Sequence, residues 1–248
     1  MGELKVTTWM LLICAVIALL LLITGPLGYK YSLFPLGQAM GSVVVAFLLA
    51  DAVLIFGLVM FYRSAGGEVD AERSAIVAAI VISLLPVITI SPNIYKAFTV
   101  PPIHDISTDT VDPPVFDRIA DIRRYMPNPL TYGTENMPAE KLARFQEESY
   151  PNIKPLVLDI SVNAALDRAA AAFTEIGIEL IGRNDDLGLV EGTDETFWFG
   201  FKDDVVVRVR PGSGGTIVDV RSISRVGQSD LGVNAKRVRA VIAAIKNQ

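Results

Sequence analysis

Arg221, Arg225, Ser229, Asp230 and Asn234 lie close together near the C-terminus and are the residues whose types and spacing could do chemistry. The chain leaves a strand-like run at Arg225, turns at Gly227 and is expected to enter a helix near Leu231. Ser229 or Asp230 stands where a side-chain oxygen can cap the free backbone N–H groups of a helix start. Arg221 and Arg225 are expected on opposite faces of a regular strand, or drifting into the turn, so that at least one comes near that helix start. Two arrangements follow. In one, Asp230 caps the helix and pairs with Arg225, locking strand to helix. In the other, the helix N-terminus and an arginine form an anion site for a phospholipid headgroup or a partner's carboxylate. The first is favoured, because an acidic cap already takes the place an anion would occupy.

The remaining candidates are weaker. His104 is the only histidine. His104-Asp105 has no second histidine to complete a metal site or a motif-borne nucleophile to serve, so a locally hydrogen-bonded linker residue is expected. Asp203 and Asp204 are neighbours pointing to opposite sides of a strand start, which a turn between strands explains better than a cation site. Phe197, Phe199 and Phe201 alternate with Trp198 and read as a core-facing strand rather than a ring-lined pocket. Pro211-Gly-Ser-Gly-Gly lacks the Gly-Lys-Ser/Thr of a phosphate loop. No catalytic residue, metal site or cofactor is therefore expected.

Asp51 is the least bland position. It sits about ten residues from either end of an apolar run, hence about 15 Å deep at 1.5 Å per residue. A charge there costs at least a few kcal/mol. No Lys or Arg in the other apolar runs can neutralise it, so it must be protonated, hydrogen-bonded to a group such as Ser83, or paired with another protein.

These residues are carried by two kinds of chain. Residues 7–27, 41–62 and 74–90, the last extending as far as 97, are apolar runs long enough to cross a hydrocarbon core of ~30 Å. The length of the first, with no clear small-residue cleavage site after it, favours a retained helix over a signal peptide. Gly25-Pro26 should end it, Gly66-Gly67 should mark the second loop, and Pro86 and Pro92 should bend or end the third helix. Residues 99–114, rich in proline, read as an extended linker. The domains are thus 1–98, a three-helix anchor; 99–114, the linker; and 115–248, a soluble α+β domain.

Within that domain, Asp112 and Pro113 should open a short helix carrying Val115, Phe116, Ile119 and Ile122. Residues 125–137 read as a loop, and Pro138 should start a helix with Leu142 and Phe145. Ser161 and Gly177 bracket a stronger helix with Val162, Ala165, Leu166, Ala169, Phe173 and Ile176 on one face. Residues 178–183 and 187–192 form a hairpin about Asn184-Asp185-Asp186. Val205, Val207 and Val209 alternate with Val206, Arg208 and Arg210, giving one buried and one wet face. Alternation resumes from Thr216 to Ser224 after a loop of about five residues, with Asp219 and Arg221 expected beside Arg208 and Arg210 across the strands. Leu231, Ala235, Val238, Ile242 and Ile245 make the stripe of a final helix. The sum is an antiparallel sheet with helices packed on one face.

The motifs Phe199-Gly-Phe-Lys-Asp-Asp-Val, Arg208-Val-Arg-Pro, Val218-Asp-Val-Arg-Ser-Ile-Ser-Arg-Val-Gly and Ser229-Asp-Leu-Gly-Val-Asn-Ala-Lys-Arg-Val together resemble the domain-of-unknown-function family 1499. A weaker extension reaches back to Tyr150-Pro-Asn-Ile-Lys-Pro-Leu. The resemblance covers roughly the last hundred residues. It implies no activity and supplies no catalytic residues.

Composition narrows the function class. The 248 residues are 51% hydrophobic with one cysteine, Cys14, so no disulfide forms within the chain. The first hundred residues hold five basic and five acidic side chains, so the remainder carries the whole net charge of −5. An acidic domain without a basic stripe argues against a nucleic-acid partner. Lys5, Arg63 and Arg73 fall on one side of the membrane and Lys30 and Lys96 on the other, which orients the N-terminus towards the cytoplasm. The expected place is a bacterial inner membrane with residues 101–248 periplasmic. The expected function is a non-catalytic binding or assembly module acting beside the lipid bilayer on a membrane-protein complex or a lipid. The alternative is a membrane-tethered, carboxylate-dependent hydrolase.

Overall fold

The computed structural model describes residues 2–64 and 71–248; the turn expected at Gly66-Gly67 lies outside them. Two compact units are present. The first is Met1–Tyr95 with Phe197–Gly200, and the second is Lys96–Thr196 with Phe201–Gln248.

The apolar runs form three helices, α1 (Gly2–Lys30), α2 (Leu36–Arg63) and α3 (Ala71–Thr99). All three are long and apolar enough to cross a membrane, and a helix satisfies its own backbone where no water can. Their buried positions recur at alternating steps of three and four residues. They are Leu11, Ala15, Ala18 and Leu22 on α1, Ala39, Val43, Ala46, Ala50, Val53 and Gly57 on α2, and Ile76, Ala79, Ser83, Pro86 and Ile90 on α3. That spacing is the seam of left-handed helix packing, and its small residues let backbones approach closely. Gly25-Pro26 does not end α1, which continues to Lys30. An added Cβ at Gly25 would overlap the Ser42 side chain, so the glycine serves close contact between α1 and α2. Pro86 and Pro92 likewise lie inside α3 without ending it.

The second unit is built on a six-stranded antiparallel sheet. Its strands are β1 (Asp105–Ser107), β2 (Leu156–Leu158), β3 (Glu179–Asn184), β4 (Leu189–Glu195), β5 (Lys202–Gly212) and β6 (Gly215–Ser224). The order is β1-β6-β5-β4-β3, with β2 also pairing β6. Residues 105–107 thus make a strand inside the stretch expected to be linker. The β5–β6 strands run on to Gly212 and Gly215, leaving a two-residue turn rather than a five-residue loop.

One face of the sheet carries the main core. Val205, Val207, Val209, Val218 and Val220 meet the helices α6 (Val162–Ile176) and α7 (Val233–Asn247), joined by Leu142 from α5 (Ala139–Ser149). The ends of α6 are as the sequence indicates: Ser161 Oγ accepts from the Ala164 N–H at 3.2 Å, and Gly177 takes the left-handed conformation at φ 80°. Gln146 of α5 reaches the sheet edge, where it exchanges two hydrogen bonds with the backbone of Ser107 (2.9 and 2.7 Å). It completes the edge as a further strand would.

The other face is not wet. Residues 109–131 cover it, carrying the short helix α4 (Arg118–Ile122). Phe116 and Ile119 pack there on Leu189, Val206 and Ile223, while Val115 and Ile122 stay exposed. The helix opens at Arg118 rather than at Asp112. Glu191 of β4 holds its start, accepting from the backbone N–H groups of Asp117 and Arg118 at 2.7 Å each.

Two further expectations change. Phe197, Trp198 and Phe199 form the turn between β4 and β5, not a strand. The turn is closed by Thr196 N–H on the Phe201 carbonyl and by Phe201 N–H on Thr196 Oγ1, both at 2.8 Å. The last helix starts at Val233, because Leu231 sits at φ 54° in the left-handed region and turns away from the helix. Its buried stripe is Ala235, Val238, Val241, Ala244 and Ile245.

Candidate functional site

Three of the five clustered residues come together at the start of α7. The Asp230 carboxylate accepts from Gly232 N–H at 2.7 Å and from Asn234 N–H at 2.8 Å, so it serves free N–H groups of the helix start, although the cap position itself is Gly232. Ser229 Oγ accepts from Leu231 N–H at 3.3 Å. Asn234 is fully buried and joins helix to sheet. Its Oδ1 accepts from Ser222 Oγ and Arg237, both at 2.6 Å, and its amide donates to Ser224 Oγ and the His104 carbonyl, both at 2.9 Å. Burial pushes the Asp230 carboxyl above its usual range, against the pull of the two N–H groups it caps.

The two arginines are elsewhere. Arg221 lies on β6 and Arg225 in the bend just past its end, both towards the face covered by residues 109–131, and neither pairs with Asp230. Arg225 grips Asp204 through two bonds (3.0 and 2.8 Å) and also donates to Thr193 Oγ1 at 3.2 Å. Arg123 approaches the same carboxylate at 3.3 Å, its side chain nearly inaccessible. Desolvation lowers the Arg123 pKa, while Asp204 opposes the shift. Arg221 binds Asp105 by two bonds (2.9 and 2.8 Å) and donates to the carbonyls of Pro114 and Leu130. Its guanidinium lies 5.6 Å from the Phe116 ring and 5.4 Å from the Tyr132 ring.

Asp203 and Asp204 lie inside β5, not in a turn, and they do face opposite sides. Asp203 accepts from Arg237 at 2.8 Å, sharing that guanidinium with Asp194. Asp219 holds both Arg208 and Arg210, as the cross-strand register indicates, whereas Arg221 turns to Asp105. This ionic core is the feature sequence reading missed. Its signal was present: charges alternate along β5 and β6 at positions that, once covered, need partners.

Beside it lies a cleft of about 450 Å³, with His104, Asp105, Asn128, Thr131, Asn136 and Gln228 in its lining. His104 Nδ1 lies 3.3 Å from the Gln228 carbonyl, a partner distant in sequence rather than local. Among the described residues, no group of three His, Cys, Asp or Glu side chains is placed to hold a metal ion.

The paired carboxylates and guanidiniums of this ionic core fall in a segment that has a family match. Residues 105–245 match the family described as protein of unknown function, DUF1499. The chain belongs to DUF1499. The DUF1499 segment opens at Asp105, the partner of Arg221, so β1 belongs to the family domain. No curated protein matches the chain.

Asp51 lies outside the DUF1499 segment, on α2 beside the buried seam residue Ala50, and is partly exposed. Ser83 does not hydrogen-bond to it: the buried Ser83 Oγ has no partner among the described residues.

Proposed function

We propose that the chain is a membrane-anchored, non-catalytic binding or assembly module, acting beside the bilayer on a membrane-protein complex or lipid. The observation that carries this reading is Asp51. A partly exposed carboxyl near the middle of a membrane-spanning helix, to which the Ser83 hydroxyl does not donate, is satisfied at least cost by a polar group on another membrane segment. The pairing inside the domain gives support. Asp105, Asp203, Asp204 and Asp219 are each bound to arginine and so are engaged in holding the fold. The bilayer is read as a bacterial inner membrane, with the N-terminus cytoplasmic and the C-terminal domain periplasmic.

The test is recovery of a stoichiometric partner from native membranes in mild detergent. Asp51→Asn, which keeps hydrogen bonding, should retain it, and Asp51→Leu should reduce it. Equal recovery from wild type and both variants removes the proposal. The enzyme alternative has the His104 cleft in its favour. Turnover of a pooled metabolite set by the purified chain, lost on His104→Ala, would establish it.

A further inference from the structure

Phe197–Gly200 stands apart from the domain that carries it in sequence, because these four residues belong to the compact unit of the three membrane helices. Trp198 and Phe199 pack on the cluster of Leu22, Val43, Ala46 and Ile90, contributed by α1, α2 and α3. The two rings meet edge to face at 5.5 Å, and Phe199 lies 6.5 Å from Tyr29 of α1. Lys30, in the last turn of α1, donates to the Phe197 carbonyl at 3.0 Å and holds its ammonium 5.7 Å from the Phe197 ring. Phe197 itself is 90% exposed.

We propose that the Phe197 ring is seated in the interfacial layer of the bilayer that α1, α2 and α3 span, making the β4–β5 turn a lipid-contact element. The argument is one of continuity and of charge. Tyr31, Leu33 and Phe34, in the α1–α2 connection next to Lys30, are also exposed. Tyr31 and Phe34, with Tyr29 and Trp198, form the kind of aromatic group that collects where a membrane meets water. A lysine at a helix end extends its ammonium to the headgroup layer. Lys30 does so here while satisfying a carbonyl of the turn, which removes the cost of taking that backbone group into a water-poor layer. A large apolar ring held fully exposed beside such a lysine fits phospholipid, with acyl chain against the ring and headgroup phosphate near the ammonium.

The inference rests on the helices spanning a bilayer and not on a protein partner for Asp51, so recovery of a partner leaves it untouched. The test uses the full chain with Cys14→Ser and Phe197→Cys, a nitroxide on the new thiol, and vesicles of phosphatidylethanolamine and phosphatidylglycerol. Collisions with oxygen should exceed those with a water-soluble nickel chelate at position 197. Dominant nickel collisions at 197 would put the ring in water and overturn the proposal. Shielding from both reagents would put it against protein and overturn it equally. Phe197→Trp in a Trp9→Phe, Trp198→Phe background gives a second reading with a side chain closer to the native one. Brominated lipids should quench its emission, and unquenched emission overturns the proposal.

Discussion

A buried arginine presents five donors that must find acceptors, and that requirement decides what Arg225 and Asp230 do. Arg225 and Arg123 converge on Asp204, so Asp204→Ala strands one buried and one partly buried cation and is expected to cost about 3–5 kcal/mol. In thermal unfolding of the detergent-solubilised chain, Arg225→Ala should couple to Asp204→Ala by about 0.5–3 kcal/mol. Asp230→Ala should cost about 0.5–2 kcal/mol, the usual loss for a cap. It should add to Arg225→Ala without coupling, because the two side chains serve different partners. A non-additive cycle between Arg225 and Asp230 would contradict this assignment. Asp230 also sets a pH dependence. Its carboxyl is raised by burial above the ordinary 3.8. A group raised in the folded state contributes stability that is full below its unfolded pKa and lost as pH rises through the folded one. The advantage of wild type over Asp230→Asn should therefore be greatest at and below about pH 3.8 and decline towards neutrality. An advantage that grows with pH would reverse the sign.

At the scale of elements, the β3–β4 hairpin shows how a turn fixes register. Gly188 has φ 67°, and a Cβ there would overlap the Val209 carbonyl oxygen of β5. Gly188→Ala is expected to destabilise by about 1–3 kcal/mol, read as loss of hydrogen-exchange protection along β4 and β5. Unchanged protection would show that the turn relaxes without cost. Elements of this kind were legible in the sequence. The Ser161 and Gly177 caps, the valine alternation of β5 and the three apolar helices each follow from local residue types. What was not legible depended on contacts distant along the chain. The sequence suggested a wet face at Arg208 and Arg210, because nothing local announces that residues 109–131 fold over it. The Asp105–Arg221 pair joins positions 116 apart, and no spacing rule reaches that far. Arg225 drifts into the turn just past β6, one of the two alternatives the sequence offered. Neither arginine reaches the helix start, because their acids, Asp105 and Asp204, stand on β1 and β5. Phe197-Trp-Phe has strand-like alternation, but the hydrogen bonds between Thr196 and Phe201 close it as a turn.

At the scale of the whole molecule, the decisive question is which side of the membrane receives the C-terminal domain. Three helices are long and apolar enough to cross a membrane, and three crossings would put the segments before α1 and after α3 on opposite sides. The connection between α2 and α3 is flanked by Arg63 and Arg73, and three crossings would put Lys5 on the same side and Lys30 and Lys96 on the other. Positive residues near helix ends favour the cytoplasmic face, and three against two is the basis of the proposal that the N-terminus faces inward and residues 101–248 outward. The bias is small enough to be changed by design, which makes the prediction sharp. Protease added to spheroplasts should trim the C-terminal domain of wild type, and inverted vesicles should protect it. Replacing Arg63 and Arg73 with glutamine, while adding lysines beside Lys30, should shift part of the population to the reverse pattern. Protection in spheroplasts with cleavage only in inverted vesicles would place the domain in the cytoplasm. In that case the partner sought through Asp51 would be one whose soluble part is cytoplasmic too.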